Sequence, residues 1–311
     1  MRLALCAVAL VAAACSAHAQ ERDFSKVEVK VARVAGSVYL LQGAGGNIAA
    51  SVGDDGVVMV DDDFAPVAGK LTAALAGIGP GGKRLRYVLL THYHFDHTGG
   101  NASFAAAGAT LVSNDKLRAR LAIDTQAGNG GSMKIESKAV ETSALPTLTF
   151  SDSLTVHLNG EDVRAQHFAN AHTDGDSIVF FEGAHVVHMG DIFVRYGFPF
   201  IDVDSGGSVQ GMIAACEAVL AQAPPDAKII PGHGEVASAS DLREYLKLLK
   251  DTSAVVSQAL KRGQTLEQMQ KANLLGAWSA KYDGKFINSK TFLESLYYSL
   301  KRPKAAVSGK G

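Results

Sequence analysis

Cysteine is nearly missing from this chain: it has three in 311 residues, and Cys6 and Cys15 both fall within the first twenty positions. If that leader is removed only Cys216 remains, which excludes an intramolecular disulfide. Met212, Ile213, Cys216, Val219 and Leu220 recur at helical spacing. Cys216 is therefore expected to pack in an apolar helix face rather than act as a nucleophile or metal ligand. Charge of one sign is lacking too. Thirty Lys and Arg against 31 Asp and Glu leave a net charge of -1, without the electrostatic footprint of a nucleic-acid or anionic-membrane binder. The densest basic cluster, Lys83, Arg84 and Arg86, precedes a strand-like run and reads as a solvated edge. Internal repeats and low-complexity tracts are absent from the sequence. The partner left by these exclusions is a small-molecule substrate.

What is present begins with the leader. Met1-Arg2 is a positive start, residues 3–14 are an apolar stretch, and Ala17-His18-Ala19 is a small-x-small site. This is the pattern of a secretory signal peptide over residues 1–19, too short and wrongly flanked for a membrane span. It implies a periplasmic or secreted protein beginning at Gln20. Ala12-Ala13-Ala14-Cys15 offers a rival lipoprotein reading, in which Cys15 is acylated and forms a lipid anchor. The whole chain is 47% hydrophobic and 20% charged, ample for a sizeable core. Residues 20–302 are expected to form one domain with a helical C-terminal part, and 303–311 a disordered tail.

The chemistry concentrates in Thr91-His92-Tyr93-His94-Phe95-Asp96-His97, directly after the apolar run Tyr87-Val88-Leu89-Leu90. A buried strand ending in a ligand-rich loop is the expected local structure. His92, His94 and Asp96 alternate, so an extended backbone would aim all three at one side, while His97 breaks the alternation and reaches a second point. Nitrogen ligands with one oxygen suit Zn²⁺, and four ligands this close exceed what one open catalytic site uses. Two metals sharing one loop is the natural reading. Three further candidates lie beside apolar runs: His172 in Ala171-His172-Thr173-Asp174, Asp191 after Val186-Val187-His188-Met189-Gly190, and His233 in Ile229-Ile230-Pro231-Gly232-His233.

His-x-His-x-Asp-His followed by these segments resembles the metallo-β-lactamase superfamily. The resemblance implies His92, His94 and His172 on one metal, Asp96, His97 and His233 on the other, and Asp191 bridging them. It also implies an α/β architecture, the αβ/βα four-layer sandwich, where periodicity alone says only mixed α/β. Strand-like runs cover residues 27–34, 37–41, 48–52, 56–60, 110–112, 147–150, 154–158, 163–168, 177–181, 185–188 and 228–230. Helices are expected over 66–76, after Asn101, and over 208–221. Ser238 with Asp241, Thr265 with Gln268, and Thr291 with Glu294 resemble helix N-terminal caps.

The implied activity is hydrolysis by a binuclear zinc enzyme, in which metal-activated water attacks an ester, lactone or related bond. Asp96 would bind one ion and orient the water. Asp191 narrows the field, because the best-known β-lactamases of the superfamily have Cys there or use another His. Asp is found in its glyoxalase II, lactonase and phosphodiesterase branches. A ligand set without thiolate admits Mn²⁺ or Fe²⁺ beside two Zn²⁺. A secreted address argues against a glutathione thioester. The alternatives are a β-lactam-hydrolysing enzyme, a di-iron redox relative and a non-catalytic metal-binding module.

Secondary candidates each have a plainer reading. Asp61, Asp62 and Asp63 are second acceptors for a ligand His or a solvated turn. Asn101 supports the site or caps a helix. His157, His167, His185 and His188 are expected to be ordinary strand residues. Arg195 would bind a substrate carboxylate or form an exposed pair. Phe193, Tyr196, Phe198, Pro199 and Phe200 line a pocket or close the core, with Tyr196 and Phe198 the substrate-binding candidates. Residues 43–47, with three glycines, are expected to act as a flexible flap.

Overall fold

Alternation along the strands sorts their side chains between two cores. In β4 (Gly56–Val60) of the computed structural model, which describes residues 23–302, every residue is buried. Val58 and Val60 join one apolar cluster, while Val57 and Met59 join another. Burial on both faces is what a sheet covered by helices on one side and a second sheet on the other requires.

Strands β1 (Lys30–Ala35), β2 (Val38–Gln42) and β3 (Ile48–Gly53) precede β4. After it come β5 (Leu85–Leu89), β6 (Thr110–Asn114), β7 (Thr125–Gly128), β8 (Lys134–Ser137) and β9 (Leu148–Phe150). The second half adds β10 (Ser153–Leu158), β11 (Glu161–His167), β12 (Ser177–Phe181), β13 (Val186–His188) and β14 (Lys228–Ile230). The first sheet has the order β1-β2-β3-β4-β5-β6-β9, the second β10-β11-β12-β13-β14, and β7-β8 form a separate hairpin. Val38, Leu40, Val58 and Leu89 of the first sheet meet Val163, Val179, Phe181 and Val186 of the second in the central layer.

Helices α1 (Ala68–Ile78), α2 (Phe95–Thr98), α3 (Asn101–Ala106) and α4 (Asp115–Leu121) belong to the first half. Later come α5 (Val209–Gln222), α6 (Ala239–Lys261), α7 (Leu266–Lys271), α8 (Gly276–Tyr282) and α9 (Ser289–Lys301). Val57 and Met59 share their cluster with Leu71 and Leu75 of α1, and Ile178 and Phe180 share it with Met212 and Cys216 of α5. Two sheets face each other and helices cover their outer faces: this is the expected αβ/βα four-layer sandwich. No helix among the described residues is long and apolar enough to cross a membrane. The leader (1–19) and the tail (303–311) lie outside the described residues.

Local signals acted largely as their chemistry requires. Ser238 and Thr265 form reciprocal capping boxes with Asp241 and Gln268. The third expected cap is corrected: Asn288, one turn earlier, accepts from the Thr291 amide and starts α9. Glu294 inside that helix instead accepts from Asn129 and Ser132, tying α9 to the β7–β8 connection. Cys216 is fully buried on α5, as its spacing suggested, and burial pushes its thiol pKa up.

Candidate metal centre

Strand direction delivers the candidate ligands to one place. β4 and β5 run parallel, and the chain leaves their carboxyl ends through Asp61 and through residues 92–97. In the second sheet β11 and β13 are each antiparallel to β12, and β14 is parallel to β13. Their carboxyl ends therefore point one way, and His172, Asp191 and His233 follow β11, β13 and β14 respectively. Loops at the carboxyl ends of sheet strands are where α/β folds place their sites.

All seven expected ligands converge. Ligand atoms of His92, His94 and His172 form one cluster, those of Asp96, His97 and His233 a second, and His92, His97 and Asp191 a third between them; within each, the atoms lie within 4.8 Å of one another. His172 Nε2 is 3.0 Å from His94 Nδ1. On the other side His97 Nε2 is 3.3 Å from His233 Nε2, and His233 Nε2 is 3.3 Å from Asp96 Oδ2. Asp191 turns Oδ1 towards His97 and His233, at 3.3 and 3.5 Å, and Oδ2 towards His172 at 3.9 Å. One carboxylate thus presents one oxygen to each side.

The alternation read from the sequence stops at His94. Its backbone is extended, but Phe95–Thr98 coil into one helical turn. That turn, rather than strand pleating, carries Asp96 and His97 to the second cluster.

Four of the five imidazoles are oriented from behind. Asp61 Oδ2 lies 2.7 Å from His97 Nδ1 and also accepts from the Thr91 hydroxyl, so the acceptor reading of Asp61 holds. Asp62 and Asp63 accept backbone N–H groups of Gly100, Phe64 and Ala44 instead. Asp202 Oδ2 lies 3.1 Å from His94 Nε2, and the Phe200 carbonyl 3.0 Å from His172 Nδ1. Thr91 Oγ1 lies 3.0 Å from His92 Nδ1. These outer partners select which ring nitrogen faces inward. His94 turns Nδ1 inward, whereas His172 and His97 turn Nε2 inward. Sequence reasoning missed Asp202, whose distance from the motif leaves no local signal.

His92 Nε2 supplies the test of whether a metal fits. It is buried and has no hydrogen-bond partner among the described residues, a costly condition for a polar nitrogen that nothing satisfies. Charge tells the same story. Burial lowers the pKa of His92 well below the ordinary imidazole range and brings that of His172 down to about 4, so both stay neutral as ligands must be. Burial also opposes charge on His97 and His233, but Asp191 and Asp96 outweigh it and raise both. The cluster recruits positive charge between its carboxylates, which is where a divalent cation would supply it. The donor set of imidazoles and carboxylates fits Zn²⁺, Mn²⁺ or Fe²⁺.

The glycine loop at 43–47 is corrected from a flexible flap to a pinned one. Gly46 N–H donates to the Asp96 carbonyl, Asn47 N–H to Gly232, and the buried Asn47 amide to Pro231 and Gly234. A Cβ at Gly46 would fall on the His97 ring, and one at Gly232 on Asp191 Oδ1. Glycine serves close approach here, not motion.

A cavity of about 720 Å³ opens onto the ligands, with His94, Asp96, Asp191 and His233 in its wall. Tyr196, one of the three substrate candidates, lines it, and Phe200 joins it. The other two substrate candidates are corrected. Phe198 is fully buried and stacks on Phe292 at 4.8 Å, so it closes the core. Arg195 does not line this cavity; its guanidinium donates to the Glu235 and Val236 carbonyls and to Asp241. The cation in the wall is Lys285, which no motif marks. Asn101 neither caps nor reaches the ligands: Gly100 takes the cap position and the Asn101 amide donates to the Ala144 carbonyl. His157, His167, His185 and His188 bond to Asp162, the Asp176 carbonyl, Asp226 and the Asn47 carbonyl.

Comparison with known proteins agrees with this geometry. The family model described as "Metallo-beta-lactamase superfamily" matches residues 33–250, a span holding all seven ligands. A hydroxyacylglutathione hydrolase of Polaromonas sp. strain JS666 is 32% identical over 154 residues, 49% of this chain and 49% of that protein. The chain thus matches about half the length of that curated relative. Among solved structures, DIM-1 metallo-beta-lactamase has a TM-score of 0.57 at 14% identity, covering 73% of this chain and 99% of the other. A metallo-beta-lactamase from Pontibacter korlensis has a TM-score of 0.57 at 16% identity, covering 72% and 99%. A double mutant of the sec-alkyl sulfatase PisA1 has a TM-score of 0.65 at 15% identity, covering 86% of this chain and 50% of that one. These structural likenesses speak for the fold.

Proposed function

The chain belongs to the metallo-beta-lactamase superfamily, and we propose that it is a binuclear metal-dependent hydrolase of esters or lactones. The reaction adds one water across the acyl C–O bond and yields a carboxylate and an alcohol. The observation that carries the proposal is the convergence of seven ligands with Asp191 turned towards both clusters. Two divalent ions, when bound, acidify water and polarise the bond under attack. His92, His94 and His172 would hold one ion and Asp96, His97 and His233 the other, with Asp191 placed to serve both; Zn²⁺ is the ion we propose.

The remaining work falls to side chains of the chain. Asp96 lines the cavity, and His97 and His233 overcome burial to hold its pKa down at about 2. It therefore stays ionised and orients the attacking water by accepting a hydrogen bond, rather than storing its proton. Asp202 and Asp61 keep the His94 and His97 rings in register. Tyr196 stays protonated, because burial raises its pKa, and packs edge-on to His233 at 5.7 Å. It screens that side of the site from solvent.

The Polaromonas relative favours a second reading, thioester hydrolysis. The cavity wall argues against a glutathione conjugate. Such a group carries two carboxylates and an ammonium, whereas among the described residues the wall offers one charged side chain, Lys285, beyond the ligands, and Arg195 is paired elsewhere. The leader supports export to the periplasm; N-terminal sequencing beginning at Gln20 would uphold this, and a lipid-modified Cys15 would overturn it. The function itself is tested by metal analysis combined with kcat/KM on a lactone, an aryl ester, a glutathione thioester and a cephalosporin. About two metals per chain and fastest turnover of the lactone or ester are expected. A cephalosporin faster by tenfold, about 1.4 kcal/mol of transition-state preference, would replace this reading with that of a β-lactamase.

A further inference from the structure

Two aromatic walls lead from the protein surface down to the ligands. On one side Phe24 packs on Phe64 at 5.2 Å and Phe64 on Phe95 at 5.7 Å, beside Asp96. On the other, Phe286 meets Tyr196 and Phe200, each at 6.0 Å. Tyr196 then touches His233, and Phe200 touches His94 at 5.9 Å. All six rings line the 720 Å³ cavity. Phe95 and Phe286 are 46% and 52% exposed, among the few large apolar side chains left to water among the described residues. Exposed rings that are concave and contiguous with a reactive centre mark a ligand surface rather than a core.

The outer end of the first wall is built deliberately. Phe24 sits in a short helical turn, residues 24–26, capped by the Asp23 carboxylate on the Ser25 amide. From α1, Lys70 Nζ donates to the carbonyls of Phe24, Ser25 and Val27 at 3.0, 2.7 and 2.7 Å. Three acceptors match the three protons of an ammonium group. This clamp holds the first described residues of the chain against the cavity mouth.

From this arrangement we infer that the cavity is a hydrocarbon acyl pocket: the substrate is an ester or lactone whose acyl part is an extended apolar chain, for which octanoyl serves as the probe. Phe24 and Phe286 determine its specificity, and Lys70 is a positioning residue for Phe24. The inference rests on the hydrolase reading for the reaction but not for the binding. Each methylene buried between the rings strengthens binding by up to about fourfold. Lys285 is exposed, so a charge contact there adds little discrimination.

The test uses the full chain and N-phenyl-1-naphthylamine, a neutral apolar fluorophore. One dye per chain should bind and be displaced by octanoate but not by acetate. Phe24→Ala and Phe286→Ala should each weaken dye binding at least fivefold, with Lys70→Met mimicking Phe24→Ala. Val31→Ala, an exposed apolar residue outside the cavity, should leave it unchanged. In kinetics, the octanoyl-to-acetyl ratio of kcat/KM for p-nitrophenyl esters should exceed tenfold and fall at least fivefold in both Phe variants. Dye affinity unchanged in both variants overturns the inference, whatever the ester series gives. Dye binding that responds to both variants, with no ester turned over, upholds the pocket and overturns the hydrolase reading instead.

Discussion

The two halves of the metal centre use the same imidazole chemistry in opposite surroundings. His92, His94 and His172 are all buried, and burial holds the pKa values of His92 and His172 down. Asp96 and His233, by contrast, are partly open to the cavity, and three carboxylates surround His97. One half is the drier, with His92 and His172 held neutral by burial; the other is wetter and has carboxylates that draw protons onto its imidazoles. The comparison teaches that a nitrogen ligand is prepared for a cation in two ways. Desolvation can keep it unprotonated, or acidic neighbours can demand positive charge that a metal later replaces. The second way leaves protons competing with the ion.

Removing what the halves share should have the largest effect. Asp191→Ala is expected to lower kcat/KM on the best substrate about 10³-fold, ~4 kcal/mol, and to reduce metal content below two per chain. Retention of two ions and near-normal turnover would remove the bridge from the scheme. The next test separates the halves. His233→Ala should yield protein holding about one ion, whereas His172→Ala should disturb the dry half and lose more than its own ion. Equal stoichiometry in both variants, measured by plasma mass spectrometry, would break the asymmetry.

Smaller effects should follow from the outer shell. Asp202→Asn acts on the dry half through His94, and Asp61→Asn on the ionic half through His97. Each is expected to weaken metal affinity about 10–100-fold, read by competition with a chromophoric chelator. Two distinguishable binding steps should shift separately, one in each variant.

Acidification sharpens the comparison most gently. The raised pKa values of His97 and His233 let protons compete at higher pH than at an ordinary imidazole, whereas His172, at about 4, resists until the pH falls near that value. The ionic half should therefore release its metal first as the pH drops. Loading metal-free protein at pH 7 in weak buffer should liberate protons from that half, fewer as the pH rises above the two raised values. Simultaneous loss of both ions would contradict the difference in surroundings.

Much of this site was legible in the chain. Three imidazoles and a carboxylate within six positions admit few readings, and the strands around them declare themselves by apolar alternation. Strand bounds came within a residue or two where β-branched runs end at Gly or Asp, as in β4 and β12. Other parts gave no signal. The β7–β8 hairpin, with Gly128, Gly130 and Gly131 at its turn, lacks apolar alternation, yet Ala127 and Ile135 line the cavity. Phe24, Lys285 and Phe286 lie far from the motif in sequence and meet it only across the folded surface. Arg195 sat four residues past a ligand, but proximity along the chain does not set direction, and Asp241 at the start of α6 captured its guanidinium.

By itself the sequence determined which atoms can bind a cation and which segments can bury themselves, because both depend on residue type and short-range spacing. Tertiary structure decided the rest: which ring nitrogen faces inward, which half is dry, and what forms the walls above the candidate ligands. Those properties depend on distances between residues remote in the chain. His94 and Asp202, or Phe24 and Phe64, become neighbours only when two sheets pack and their loops meet at one end.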